Sequence, residues 1–279
     1  PLKDRVKLKV YDKLIFAKMR DKLGGRLKFI VSGGSALSPH VQKFFHSIGL
    51  TVIQGYGLTE CSPVVSANTP KNVEIGTVGP PLNNVEVKID NNGEILVRGD
   101  SVMKGYWHDD LATKRCIDDN NWFHTGDIGE FTKNGSLKIT GRIKSLIVTS
   151  GGKNISPAPI EDMIRMSEYI EYIAIFGENK DYLTAIVSPN YEVLKQFALE
   201  QNIIFDSLSE LIKNDKINKK IMIEINLHQE SLAKFERVRK ITIVENPFSI
   251  ETGELTPKLS MKTSYIFEKY SNEIEGMYK

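Results

Sequence analysis

Thr59 and Glu60 close the stretch QGYGLTE, Gln54 to Glu60, and set a hydroxyl beside a carboxylate just after two glycines. Such a pair suits Mg2+ and phosphate oxygens, because Mg2+ keeps several waters and binds through one or two carboxylates plus substrate phosphates. Gly55 and Gly57 let backbone approach a ligand, and Tyr56 offers a flat face. All of these are also ordinary turn and cap residues, so the stretch alone reads as a polar turn too. Asp127, after Thr125 and Gly126 in WFHTGD, is a carboxylate held by a glycine turn. It suits the two hydroxyls of a ribose, with a plain acidic turn as the alternative. GRIKSLIVTSGGKNISP, residues 141–157, gathers Arg142, Lys144, Lys153 and the paired Gly151 and Gly152 between stretches of different character. It reads as a hinge followed by a hairpin, or more plainly as a loop with solvated lysines. His40, His46, His108, His124 and His228 have no partner at metal spacing and receive no catalytic role.

These groups need a frame. Residues 4–23 carry Val6, Val10, Leu14, Phe16 and Leu23 among basic residues, which predicts an amphipathic helix packed on a core and ended by Gly24 and Gly25. LKFIVSGGSALSP then reads as a buried strand, a glycine turn and an N-cap at Ser38 with Pro39 at the first helical position. A helix over 41–48 and a strand at Thr51–Ile53 complete a strand, helix, strand unit and predict a parallel α/β layer. Ligands in such layers sit beyond the carboxyl ends of the strands, where both SGGSAL and QGYGLTE are expected as loops.

From Val73 the texture changes to alternation. VEVKID, the Asn91-Asn92-Gly93 turn and EILVRG form a hairpin, and GEFTKNGSLKITGR forms another about Asn134-Gly135. Trp107 and Trp122 are expected to pack under loops. After the hinge come a helix over 158–166, two antiparallel strands in YIAIFGE and YLTAIVSPN, lysine-rich helices over 191–236, then a strand and an irregular polar loop bearing Lys258 and Lys262. The expected organisation is 1–75, the carboxyl part of a large α/β nucleotide-binding domain; 76–141, its β subdomain; and 142–279, a small α+β domain hinged near Lys144.

The 37 Lys plus Arg nearly balance 35 Asp plus Glu, a net charge of +2 over 279 residues, which points to no nucleic-acid partner. Cys61 and Cys116 have no metal spacing and fit a reducing compartment, so a cytoplasmic setting is expected. No apolar run approaches the roughly 18 residues of a spanning helix. Opening on Pro1, the chain is expected to be a fragment or a processed piece.

SGGSAL, QGYGLTE, GEILVRG, WFHTGD, GRIKSLIVTSGGKNISPAPIE and GELTPKLSMK stand in the order and approximate spacing of the adenylate-forming superfamily of acyl-CoA synthetases, adenylation domains and luciferases. The chain resembles the carboxyl half of such an enzyme over essentially its whole length, and is most similar in texture to long-chain fatty acid ligases, including acyl-[acyl-carrier-protein] synthetases. The resemblance implies an α/β layer, a β subdomain and a hinged α+β domain. It also implies ATP, Mg2+ and a fatty acid as reactants, CoA or the phosphopantetheine of acyl carrier protein as acceptor, and peripheral membrane contact for fatty acid uptake. By the same resemblance Gly33, Gly34 and Ser35 lie beside adenine, Gln54, Gly55, Tyr56 and Gly57 form the next nucleotide loop with Tyr56 stacked on the base, and Thr59 and Glu60 meet phosphate and Mg2+. Asp127 takes the ribose, Arg142 ribose and phosphate, Lys144 is the pivot, and Gly151, Gly152 and Lys153 approach the thioester channel.

The chain departs from the pattern in two places. The upstream phosphate loop and most of the acyl pocket are absent, so the chain alone is expected to be inactive. Where relatives have a catalytic lysine this chain has Ser260, flanked by Lys258 and Lys262; Lys258, after a Thr-Pro turn, is the favoured substitute. Two other functions stay open: adenylation of an amino or aryl acid, and a non-catalytic nucleotide-binding relative.

Overall fold

The computed structural model describes residues 10–279. They fall into two compact units that divide between Ile143 and Lys144.

In the first unit, β1 (Phe29–Ser32) pairs in parallel with β2 (Thr51–Gly57), joined by the helix Pro39–Ser47. That helix starts where the sequence predicts: Ser38 Oγ accepts the His40 N–H at 3.3 Å, and Pro39 stands where no intrahelical N–H is needed. The layer is mixed, however, because β3 (Val64–Ala67) runs antiparallel on the other side of β2. Next, β4 (Glu86–Ile89), β5 (Glu94–Arg98), β6 (Phe123–Phe131) and β7 (Leu137–Arg142) form an antiparallel four-stranded sheet in sequence order. Alternate residues of these strands meet in one core with Cys61, Val65, Val85, Ile95, Val97, Phe123 and Leu137.

Two expectations fail in this unit. Within the described part of the first helical stretch, Val10, Leu14 and Leu23 are exposed and no residue is buried; Val6 lies outside the described residues. The stretch is tethered instead through Arg20, which donates to the Ile48 carbonyl at 2.6 Å and pairs with Asp12 at 2.7 Å. Trp122 is buried beneath Lys88 and Arg98, but Trp107 is 89% exposed. Gly105 (φ +152) and His108 (φ +52) redirect the backbone on either side, so Tyr106 turns onto the protein and its neighbour turns away.

In the second unit, β10 (Ile170–Phe176), β11 (Leu183–Pro189) and β12 (Val238–Ile243) form one sheet, antiparallel then parallel. Helices cover both faces, which is why these strands read as continuous apolar runs. Ile173 and Ile175 face the layer of Pro157–Ile164, Tyr191–Glu200 and Asp215–His228. Tyr172, Ala174 and Phe176 face the opposite layer of Thr263–Lys269 and Ser271–Gly276. Sequence reading ended in a loop and missed these last two helices, although Ile266, Tyr270, Ile274 and Met277 follow the helical period on one face. A short hairpin, β8 (Ile147–Val148) with β9 (Asn154–Ile155), carries the Gly151-Gly152 turn.

Candidate nucleotide site

The first unit brings three distant motifs to one carboxylate. Tyr56 near the end of β2 donates its hydroxyl to Asp127 Oδ2 at 2.6 Å, across 71 positions of sequence. Arg142 at the end of β7 donates from Nε to Asp127 Oδ1 at 2.6 Å. The Asp127 side chain is 4% exposed and that of Arg142 68%, so a buried anion is covered by a guanidinium that reaches solvent. Burial, with the Asp127 charge second, raises the Tyr56 hydroxyl far above the usual tyrosine range, and it stays a donor at any physiological pH. Two of about four acceptor positions on the carboxylate are thereby taken.

Asp127 follows a glycine turn as expected, with Gly126 at φ +71, but that turn is a buckle within β6 and not a loop. Its register partner is Arg142, and the strand buckles just before it, at Thr125 and Gly126. Gln54 to Gly57 likewise continue β2, where a loop was expected. Gly57 pairs with Val64, and a Cβ there would fall 1.7 Å from the Pro63 carbonyl oxygen. Close approach of two backbones, rather than of backbone to ligand, requires that glycine. The Gln54 side chain is also spent inside the fold: Oε1 accepts the Leu37 N–H at 3.3 Å and Nε2 donates to Gln42 Oε1 at 3.2 Å. It braces the SGGSAL loop instead of facing a ligand. Gly33, Gly34 and Ser35 themselves are exposed, and Gly34, at φ +81, has open space where a Cβ would stand.

Thr59 is exposed in a single turn, Thr59–Cys61, next to the half-buried Glu60. Tyr106, which sequence reading passed over, donates to Glu60 Oε1 at 2.8 Å, while the Met103 N–H holds the Glu60 carbonyl at 2.7 Å. The hydrogen bond to Glu60, more than burial, pushes the Tyr106 hydroxyl up to about 12. A carboxylate beside a hydroxyl is a donor pair compatible with an Mg2+ that substrate phosphates also bind, since Mg2+ needs only one or two protein carboxylates. No cluster of three or more His, Cys, Asp or Glu fit to hold a metal by itself exists among the described residues.

In the second unit the segment 254–262 is a tight hairpin. Leu255 bridges Met261, the Thr256 N–H reaches the Ser260 carbonyl at 2.9 Å, and Leu259 closes the turn at φ +59. Lys258 is at the tip and Ser260 on the returning arm. Lys262 is at the base, its N–H on the Glu254 carbonyl at 2.7 Å. Glu254 is itself buried against Lys269 and Thr252. Lys144 is exposed at the start of the unit, and Gly151, Gly152 and Lys153 are exposed in their turn, where Thr149 N–H meets the Lys153 carbonyl at 3.0 Å.

Known proteins share this arrangement of sequence and fold. Residues 6–107 match the AMP-binding enzyme family and residues 144–279 match the AMP-binding enzyme C-terminal domain. The chain is 35% identical to the long-chain-fatty-acid–CoA ligase FadD15 of Mycobacterium bovis, covering 98% of this chain and 46% of that protein. It is 34% identical to long chain acyl-CoA synthetase 6, peroxisomal, of Arabidopsis thaliana, covering 97% and 41%. The chain thus spans less than half the length of these curated relatives. Among solved structures it is similar to the adenylation domain of a carboxylate reductase from Mycobacterium chelonae, with a TM-score of 0.74 at 22% identity over 97% of this chain and 41% of that one. With domain matches in both units, sequence likeness along nearly the whole chain and a shared adenylate-forming fold, the chain belongs to the AMP-binding enzyme family.

Proposed function

We propose that the chain supplies the nucleotide-handling centre and the thioester-forming domain of an ATP-dependent long-chain fatty acyl ligase. The observation that carries this reading is the Tyr56, Asp127 and Arg142 cluster, in which a flat ring, a buried carboxylate and an exposed cation converge from three motifs. The names of the relatives supply the fatty acid and CoA.

In the first half-reaction a fatty acid carboxylate attacks the α-phosphorus of ATP, forming a phosphorus–oxygen bond as pyrophosphate leaves. In the second a thiol sulfur attacks the acyl carbonyl, loses its proton and displaces AMP. Gly33, Gly34 and Ser35 are proposed to line adenine and Tyr56 to stack on it. Asp127 accepts from the ribose, Arg142 bridges ribose and phosphate, and Thr59 and Glu60 hold phosphate oxygens and Mg2+. That ion, when bound, neutralises phosphate charge; the fixed donors around it act where negative charge develops. Lys258, on the hairpin tip, is proposed to reach the phosphate in place of the lysine missing at Ser260, with Lys262 as the other candidate. Lys144 is proposed as the pivot and the 151–153 turn as the edge of the thiol channel, a role that their exposure and the unit boundary support. The chain by itself is proposed to be inactive. A cytoplasmic setting and peripheral contact with the membrane that supplies the acyl chain complete the reading.

The test uses the full reading frame with Mg2+, ATP and a long-chain fatty acid, offering CoA and holo acyl carrier protein separately. Acyl thioester on CoA supports the ligase as stated, and thioester on the carrier protein alone changes the acceptor. Neither product, with an amino or aryl acid driving pyrophosphate exchange instead, would move the substrate class. Nucleotide binding without exchange by any acid would make the protein a non-catalytic relative.

A further inference from the structure

GEILVRG has no role in the scheme above, yet its glutamate is among the best-held carboxylates in the first unit. Glu94, on β5, is 6% exposed. Its Oε1 accepts the Gly126 N–H at 2.9 Å, and its Oε2 lies 2.9 Å from His124 Nδ1. The other His124 nitrogen faces Asp118 at 4.0 Å. No Lys or Arg pairs with Glu94 among the described residues.

What Glu94 grips is the buckle that presents Asp127. Glu94 pairs with Ile128 and Leu96 with His124, so β6 carries two more residues than β5 between those pairs. The excess is absorbed at Thr125 to Asp127. Gly126 turns to φ +71, where a Cβ would meet nothing within 4 Å, so the glycine serves backbone rotation and not space. Thr125 Oγ1 donates to the Ile95 carbonyl at 2.7 Å and accepts the Asp127 N–H at 3.1 Å. Without Glu94, the Gly126 N–H would be left unpaired one residue before Asp127. A buried carboxylate is a costly way to staple two strands, since apolar residues hold neighbouring positions of the same strand. Its cost is explained if the sheet needs that bulge in one conformation.

We infer that Glu94 is a positioning residue, which acts through Gly126 to aim the Asp127 carboxylate at the ribose hydroxyls. This rests on the nucleotide reading proposed above. It predicts a signature that loss of general stability does not produce: loss of discrimination between AMP and 2′,3′-dideoxy-AMP. Binding of both is measured by calorimetry on the full-length protein, with Asp127→Ala as reference.

Glu94→Ala is expected to lose at least about tenfold of the preference for AMP, as a hydrogen bond to a charged group is lost, while 2′,3′-dideoxy-AMP binds nearly as before. Glu94→Gln, which keeps an acceptor for the Gly126 N–H, is expected to keep most of the preference. A folded Glu94→Ala with full preference overturns the inference. If Glu94→Ala does not fold, Gly126→Ala disturbs the same bulge by its positive φ alone: loss of preference there supports the inference and its retention overturns it. Were Asp127→Ala itself to keep the preference, the nucleotide reading would fall, which separates the two failures.

Discussion

Asp127 and Arg142 stand directly opposite each other across β6 and β7, and their side chains meet at 2.6 Å with one end buried and the other in water. Adjacent-strand register, set by the whole hairpin, therefore fixes a charge pair with its carboxylate buried and its guanidinium at the surface. The third member, Tyr56, makes the anchor testable. Tyr56→Phe keeps the ring and removes one donor to the buried carboxylate. It is expected to cost about 1.5–3 kcal/mol of first-unit stability. Urea unfolding followed by tryptophan fluorescence reads this directly, because Trp107 and Trp122 both lie in that unit.

Gly57 at the end of β2 and Gly151 in the 151–153 turn should separate by physical cause. Gly57→Ala drives a Cβ into the Pro63 carbonyl and must part β2 from β3, so a loss of about 3 kcal/mol or more, or failure to fold, is expected. Gly151→Ala meets only Thr149 Oγ1 at 4.0 Å, without a positive φ, and should remain within about 1 kcal/mol of the parent. If thermal unfolding shows equal losses, the distinction fails.

Glu161 supplies a pH dependence in the second unit. It is 8% exposed on helix Pro157–Ile164; burial pushes its carboxyl up to about 7, the Ile175 N–H bond at 3.0 Å offsetting only part of this. The folded state then holds a proton that the unfolded state, near 4.5, has released. Stability from this group is present below the unfolded value and declines as pH rises toward 7, by roughly 3 kcal/mol in total. Glu161→Gln should match the parent near pH 4.5 and exceed its urea midpoint at pH 8. Equal midpoints at both pH values would show that Glu161 is not held in its neutral form.

If the proposed function holds, the hairpin over 254–262 ranks its two lysines. Lys258→Ala in the full reading frame is expected to abolish fatty-acid-dependent pyrophosphate exchange, and Lys262→Ala to reduce it less, because Lys258 stands at the hairpin tip and Lys262 at its base. Thioester formation from supplied acyl-AMP should survive in Lys258→Ala. The reverse ranking would transfer the role to Lys262.

Much of the frame was legible in the residues alone. Period-two alternation in VEVKID, continuous apolar runs in EILVRG, YIAIFGE and YLTAIVSP, and the Ser38-Pro39 start of a helix are local preferences, and each element formed where those preferences lie, although EILVRG is buried on both faces and does not alternate as expected. The ordered motifs carried the family in the same way. What sequence alone left open were relations between elements. Gly57 is a glycine because Pro63 lies against it, Gln54 is spent on Leu37 and Gln42, and the Tyr106 hydroxyl bonds Glu60 while Trp107 stays exposed. Tyr56 reaches Asp127 across 71 positions and Glu94 reaches Gly126 across 32. Contacts at such separations depend on strand register and on where a bulge places its extra residues, and no local propensity encodes either one.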